Sequence, residues 1–247
     1  MSSALAQRQW RQRAQTAVRR AVTAAKEARG RFQALSDGGD AALSDLANSA
    51  LQLSHLAALR LPGPLAELVP DVRAAAAAKL ARQLAARADG LQERVEGLRG
   101  AVEGLAGALG LLEEVPQDEP WMRNAAIFHT MPLPRVRQLL GKVYDMYRLE
   151  YDSKAAVAAA LVGLVAGPVG AAEAADVADG VGGDIGRRRD VRGAAALAEI
   201  SRQGGAAAKR LPDLYTTYMS VWMLSPYLED EQADEALGAL SEDMVSF

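Results

Sequence analysis

Apolar residues recur along this chain at alternating steps of three and four, the interval that lines one face of an α-helix. From about Ser3 to Leu35 the stripe is Leu5, Ala14, Val18, Ala21, Ala25, Ala28, Phe32 and Leu35, which predicts a first helix. Ser36-Asp37-Gly38-Gly39-Asp40 reads as its stop, because paired glycines favour a turn and the acid can cap the next helix. A second helix then runs to about Arg60, with Leu43, Leu46, Ala50, Leu53 and Ala57 on one side, before Leu61-Pro62-Gly63-Pro64 breaks the chain. Two antiparallel helices joined by a short turn are the expectation.

From Pro70 to about Leu112 the pattern tightens. Leu84, Ala88, Leu91, Val95, Leu98, Val102, Leu105, Leu109 and Leu112 alternate four and three without a lapse, a coiled-coil seam of about four heptads. Gly90, Gly97, Gly100, Gly104, Gly107 and Gly110 interrupt it, each costing about 1 kcal/mol relative to alanine in a helix interior. Such a helix depends on tight packing against a neighbour, within the chain or on a partner.

Glu113 to Pro120 is an acidic, proline-punctuated linker leading into Trp121–Glu150, the densest run of informative residues. Phe128-His129-Thr130-Met131-Pro132 reads as extended or turning, since the residue before a proline is pushed out of the helical region. Pro134 fits the first turn of a helix that carries Val136, Leu139, Leu140, Val143, Met146, Tyr147 and Tyr151 and runs to about Leu161. Val162 to Ala208 is rich in Gly and Ala, with Gly180, Gly182, Gly183 and Gly186 before Arg187-Arg188-Arg189; this is the composition of a mobile insertion, with a short helix near Val191–Ser201. Its uncharged start, Ala155–Ala172, is mostly Ala and Gly, contains Pro168 and lacks aromatic anchors, which argues against a membrane span. A last helix spans about Pro212 to Leu224, placing Leu214, Tyr218, Val221 and Trp222 on one face, and Ser225-Pro226 stops it. A short acidic helix comes after it, with Leu237 and Leu240 packing back.

The fold class is therefore all-α: an elongated antiparallel helical bundle with coiled-coil-like long helices and a low-complexity insertion. Residues 1–112 form an N-terminal helical region, 113–133 the linker, 134–162 and 211–247 a C-terminal helical region, and 163–210 a disordered insertion.

Composition sharpens this. Half of the 247 residues are hydrophobic, much of that alanine, and aromatics are only 5%, so bulky groups for a wide core are few. The absence of cysteine excludes disulfides and thiolate metal sites. A polar, arginine-rich start is unlike a signal peptide, and a soluble intracellular chain is expected. Net charge is −3 but unevenly spread. Arg8, Arg11, Arg13, Arg19, Arg20, Lys26, Arg29 and Arg31 crowd the first helix, while Glu229, Asp230, Glu231, Asp234, Glu235, Glu242 and Asp243 fill the C-terminal stretch. The basic arm could touch nucleic acid or an acidic ribosomal surface, but the favoured reading is that the two stretches are solvated faces of two helices that meet each other.

Catalytic chemistry has no constellation here. The two histidines, His55 and His129, are far apart, without zinc-type spacing, and His129 fits a loop-orienting hydrogen bond. Gly180 to Gly186 has Ile185 where a dinucleotide fingerprint needs its third glycine, and Gly141-Lys142 precedes Val143 rather than Ser or Thr. No enzyme, cofactor or metal is expected. The signal is instead aromatic: Phe128, Tyr144, Tyr147, Tyr151, Tyr215, Tyr218, Trp222 and Tyr227, with Met146, form either the core of a helix pair or the anchor for a partner.

Four short runs stand in order: Phe128-His129-Thr130 with Pro132, Met146-Tyr147-Arg148, Tyr218-Met219-Ser220-Val221-Trp222, and Pro226-Tyr227-Leu228-Glu229. In these the chain resembles the cyclin-dependent kinase 2-interacting protein family. It departs by Met131, where the family has tryptophan, and by a longer connection between the second and third runs. The resemblance implies a nuclear, non-catalytic adaptor that pairs with a helical companion subunit and an AAA ATPase acting in large ribosomal subunit maturation and replication-linked protein turnover. Alternatively, it implies a binder of cyclin-dependent and replication kinases and of checkpoint proteins, in DNA replication, the DNA damage response and the cell cycle; neither nucleic acid nor membrane is an expected partner. The candidate partner-binding or motif residues are Phe128, His129, Thr130, Pro132, Tyr144, Met146, Tyr147, Arg148, Tyr218, Trp222, Pro226 and Tyr227. Ser225-Pro226 is a minimal proline-directed site, and Arg82-Gln83-Leu84 and Arg137-Gln138-Leu139 fit a loose cyclin-docking pattern.

Overall fold

The computed structural model describes residues 4–58, 63, 72–176 and 206–245. Over these the chain is all-α, a bundle of six helices: α1 (Ala4–Ala58), α2 (Val72–Glu113), α3 (Pro120–Asn124), α4 (Leu133–Asp176), α5 (Ala206–Leu224) and α6 (Asp230–Asp243). One antiparallel bridge, between Ala126 and Pro132, is the only extended pairing among the described residues. Two compact units result, the first from Met1–Asp37, Val95–Ser153 and Ser225–Phe247, the second from Gly38–Arg94 and Lys154–Leu224. Helices α1, α2 and α4 lend a part to each; α6 belongs to the first unit and α5 to the second.

In the first unit the α1 stripe is buried as its spacing predicts, from Ala14 through Val18, Ala21, Ala25 and Ala28 to Phe32, with Trp10 added and Leu5 left exposed. On α2, Leu98, Val102, Leu105 and Leu112 are buried with Ala101 and Ala108 beside them, while Val95 and Leu109 are half-buried. Each buried Leu or Phe contributes roughly 1.5–3 kcal/mol and each Ala far less, so close backbone approach must compensate for small side chains. Gly97 and Gly104 supply it. A Cβ on Gly97 would stand 3.0 Å from Leu35, and one on Gly104 3.1 Å from that of Ala28, so α1 and α2 run antiparallel with little between them. Against α1 lies α6, also antiparallel, pairing Asp234 with Arg29 and Asp230 with Gln33. Helix α4 buries Val136, Leu139, Leu140, Val143 and Tyr147, and Arg137 faces Glu113 at 3.6 Å.

The second unit repeats the antiparallel α1–α2 pairing, with Arg87 of α2 donating to the Asp45 carbonyl of α1 at 3.0 Å. Its core takes Leu43, Leu46 and Leu53 from α1, Leu84 and Leu91 from α2, Val157 and Leu161 from α4, and Tyr215 and Trp222 from α5.

Three expectations are corrected. Gly38-Gly39 makes no turn; α1 passes through both without a break, so Ala4–Ala58 is one helix and not two antiparallel ones. The cause is Trp222. A Cβ on Gly39 would lie 2.3 Å from its Cζ2 atom, so this glycine is the seat of an indole rather than a helix stop. Second, residues 163–176 and 206–210 of the expected insertion are helical, in keeping with the high helix propensity of their alanines. The remainder, with Gly180–Gly186, Arg187–Arg189 and the helix expected near Val191–Ser201, lies outside the described residues. Third, α5 begins at Ala206 and carries Pro212 inside it, and its buried face is set by Tyr215 and Trp222 while Leu214 is exposed. The large rings win the interior because they remove more apolar area from water than a leucine does.

Candidate partner-binding surface

In the first unit the expected motif residues build a clasp. The chain leaves α3 and turns at the Ala126–Pro132 bridge, where Ile127 N–H donates to the Met131 carbonyl at 3.0 Å. Ile127 is fully buried and Phe128 nearly so, its ring beneath the Arg19 guanidinium at 5.4 Å. Gln15 of α1 donates to the Ile127 carbonyl at 2.8 Å. The acceptor at the tip is Asp243, a buried carboxylate at the end of α6. Its Oδ1 takes hydrogen bonds from Thr130 N–H and Thr130 Oγ1–H, both at 2.8 Å, and its Oδ2 one from Met131 N–H at 3.2 Å. His129 is exposed and pairs through Nε2 with the Val245 carbonyl at 2.8 Å. The Phe-His-Thr run is thus a hairpin tied to α6, and His129 has the loop-orienting role its sequence position suggested.

Tyr147 of α4 is fully buried, edge-on to Phe32 at 5.0 Å between ring centres. Its hydroxyl accepts from Arg29 Nε–H at 2.9 Å, and Arg29 also pairs with Asp234 and, at 3.6 Å, with Asp230. Burial pushes the Tyr147 hydroxyl up from its ordinary pKa despite the arginine. The hydrogen bond from Arg29 holds the Asp234 carboxyl below its ordinary value. The basic arm and the acidic stretch therefore do meet, at Arg29. One turn beyond Tyr147, Glu150 is fully buried and accepts from Tyr227 N–H at 3.1 Å, which fixes the start of the Pro226-Tyr227 run. Pro226, Tyr227 and Arg148 themselves are exposed, and Pro132, Tyr144 and Met146 are half-buried.

The remaining motif lies in the second unit. Trp222 is 0% exposed; Lys154 of α4 lies over its ring at 4.6 Å and donates to its backbone carbonyl at 2.5 Å. That carbonyl belongs to the last turn of α5, where acceptors have no intrahelical donor and a cation also suits the helix dipole. Tyr215 is buried, which pushes its hydroxyl up to about 12, while Tyr218 is half-buried. Ser225, at φ 44°, takes the left-handed step that ends α5. Three large apolar side chains of this helix stay exposed, Leu214 at 38%, Met223 at 62% and Leu224 at 77%, among the exposed polar residues Asp213, Thr216, Thr217 and Ser220.

So Phe128, Tyr147 and Trp222 are core residues, and Tyr227 is the exposed member of the aromatic set. Both cyclin-docking tripeptides send their leucine inward, Leu84 and Leu139 being buried. No group of three His, Cys, Asp or Glu among the described residues could hold a metal ion, and no described helix is long and apolar enough to cross a membrane. No protein-family model matches the chain, and no curated protein matches it.

Sequence reasoning missed Asp243, Glu150, Lys154 and Gly39. Asp243 is one acid among many in its stretch, and nothing local marks it. Lys154 did carry a signal, as the last charge before the uncharged Ala155–Ala172 run.

Proposed function

We propose that this chain is a non-catalytic helical adaptor that pairs by helix packing with a helical companion subunit and through it joins a nuclear AAA-ATPase assembly, in large ribosomal subunit maturation and replication-linked turnover. The observation that supports this reading is the two-sidedness of α5. One side of the helix that carries the Tyr-x-Ser-x-Trp run is locked into the unit by Tyr215 and Trp222, while Leu214, Met223 and Leu224 remain exposed to water around the rest of it. Exposed large aliphatic side chains are the groups by which one helix receives another. The identity of the partner rests on the family resemblance alone. The kinase-binding alternative loses support from the burial of Leu84 and Leu139.

The test uses affinity purification of the tagged chain with mass spectrometry. Trp222 is the wrong residue to change, because its loss would open the core. Leu214→Asp with Leu224→Asp alters only the exposed side, and circular dichroism should show unchanged helix content. Co-purification of an AAA ATPase and a small helical protein with the native chain, lost in the double variant, is the expected result. Retention of both by the variant would remove α5 from the interface, and recovery of kinases in their place would favour the alternative.

A further inference from the structure

A second surface, on the first unit, is unrelated to the motif residues. Gln9, Arg13, Thr16 and Arg20 succeed one another at helical spacing along one face of α1, and across from them lie Leu111 in the last turn of α2 and Glu114 to Pro116 just after it. Between these two walls lies a groove of about 580 Å³. It continues into a hollow of about 390 Å³ that shares Arg20 and Leu111 and adds Arg19 and Thr23. The floor is apolar: Ala17 and Leu111 are half-buried and Val115 is buried.

Charge distinguishes this groove from an ordinary seam. Further along the same helix Arg29 is neutralised by Asp230 and Asp234 of α6. Arg13 and Arg20 are exposed and have no carboxylate or hydrogen-bond partner among the described residues. They stand seven positions apart, two turns of helix, about 10 Å, which matches the span of three to four residues of extended peptide. Arginine recognises carboxylates through paired N–H donors, and the side chains of Gln9, Gln12 and Thr16 on the same wall can serve a peptide backbone.

We propose that this groove docks an extended acidic peptide segment of another protein, with carboxylates set on Arg13 and Arg20 and an aliphatic side chain between them on Leu111 and Val115. A peptide fits better than a nucleic acid strand. Among the described residues no aromatic ring lines either hollow for a base to stack on, whereas the apolar floor of Ala17, Leu111 and Val115 suits an aliphatic side chain.

Fluorescence anisotropy on the full chain tests this with three probes: a labelled Asp/Glu peptide with two central leucines, the same peptide with serines in their place, and an oligothymidine of equal charge. The leucine peptide should bind saturably at low salt and weaken as salt rises. Arg13→Glu with Arg20→Glu should weaken it about tenfold or more, as should the change of leucines to serines. Both arginines are exposed, so circular dichroism should be unchanged; if the reversal disturbs the helix, Arg13→Gln with Arg20→Gln takes its place. Absence of saturable binding, or equal binding by the variant, overturns the proposal. Equal binding of the serine peptide would reduce the groove to a charged surface, and tighter binding of oligothymidine would assign it to phosphate; either outcome overturns the peptide reading. None of these depends on α5 or its partner.

Discussion

Asp243 shows how one side chain can hold a loop that its own neighbourhood in sequence does not mention. Three donors from Thr130 and Met131 converge on it, and each loses its acceptor if the carboxylate is removed. Asp243→Ala should therefore cost about 2–3 kcal/mol, read as a lower urea midpoint with faster hydrogen exchange at the Thr130 and Met131 amides; Asp243→Asn should recover part of it. Tyr215 makes a different statement. Its hydroxyl titrates near 10 when unfolded and is raised to about 12 by burial in the fold. A raised value means that the folded state holds its proton longer, so stability is intact below pH 10 and falls between about 10 and 12 as the unfolded chain ionises first. The loss should reach roughly 2–3 kcal/mol and should be smaller in Tyr215→Phe, measured by urea unfolding across that window.

At the level of the helix, the glycines separate what the sequence reveals from what it conceals. A glycine in a helical pattern signals either an end or a close neighbour, and only the neighbour decides. For α2 the unbroken heptad pattern outweighed six glycines, and its seam agrees with the fold except at Val95 and Leu109, which are half-buried. For α1 the pair Gly38-Gly39 read as a stop because its neighbour, Trp222, comes from a distant part of the chain. Three substitutions distinguish the roles. Gly39→Ala should destabilise by about 2 kcal/mol or more despite alanine's better helix propensity, since a buried indole cannot move aside. Gly38→Ala meets only the flexible end of Arg94 and should be nearly neutral. Gly100→Ala meets nothing and should stabilise by roughly 0.5–1 kcal/mol, all three compared by thermal melting. The same logic governs α5: its apolar spacing was legible, but which side faces inward was settled by where the glycine seat and Lys154 lie.

Across the whole molecule, helix content and most of the buried stripe derive from periodicity alone, whereas the partners of Arg29, Glu150 and Asp243 do not. Periodicity is local information, and these contacts join positions far apart. Arg29 reaches Asp234 over 205 positions, and Thr130 reaches Asp243 over 113. Helical proteins usually fold fast because their contacts are short-range, and this one departs from that habit. During synthesis, at about 5–20 residues per second, roughly 10–40 s separate the appearance of Arg29 from that of its acidic partner. For that interval the side of α1 that α6 will cover stands open, which makes the nascent chain a customer for chaperones and gives a competing helix time to take the place of α6.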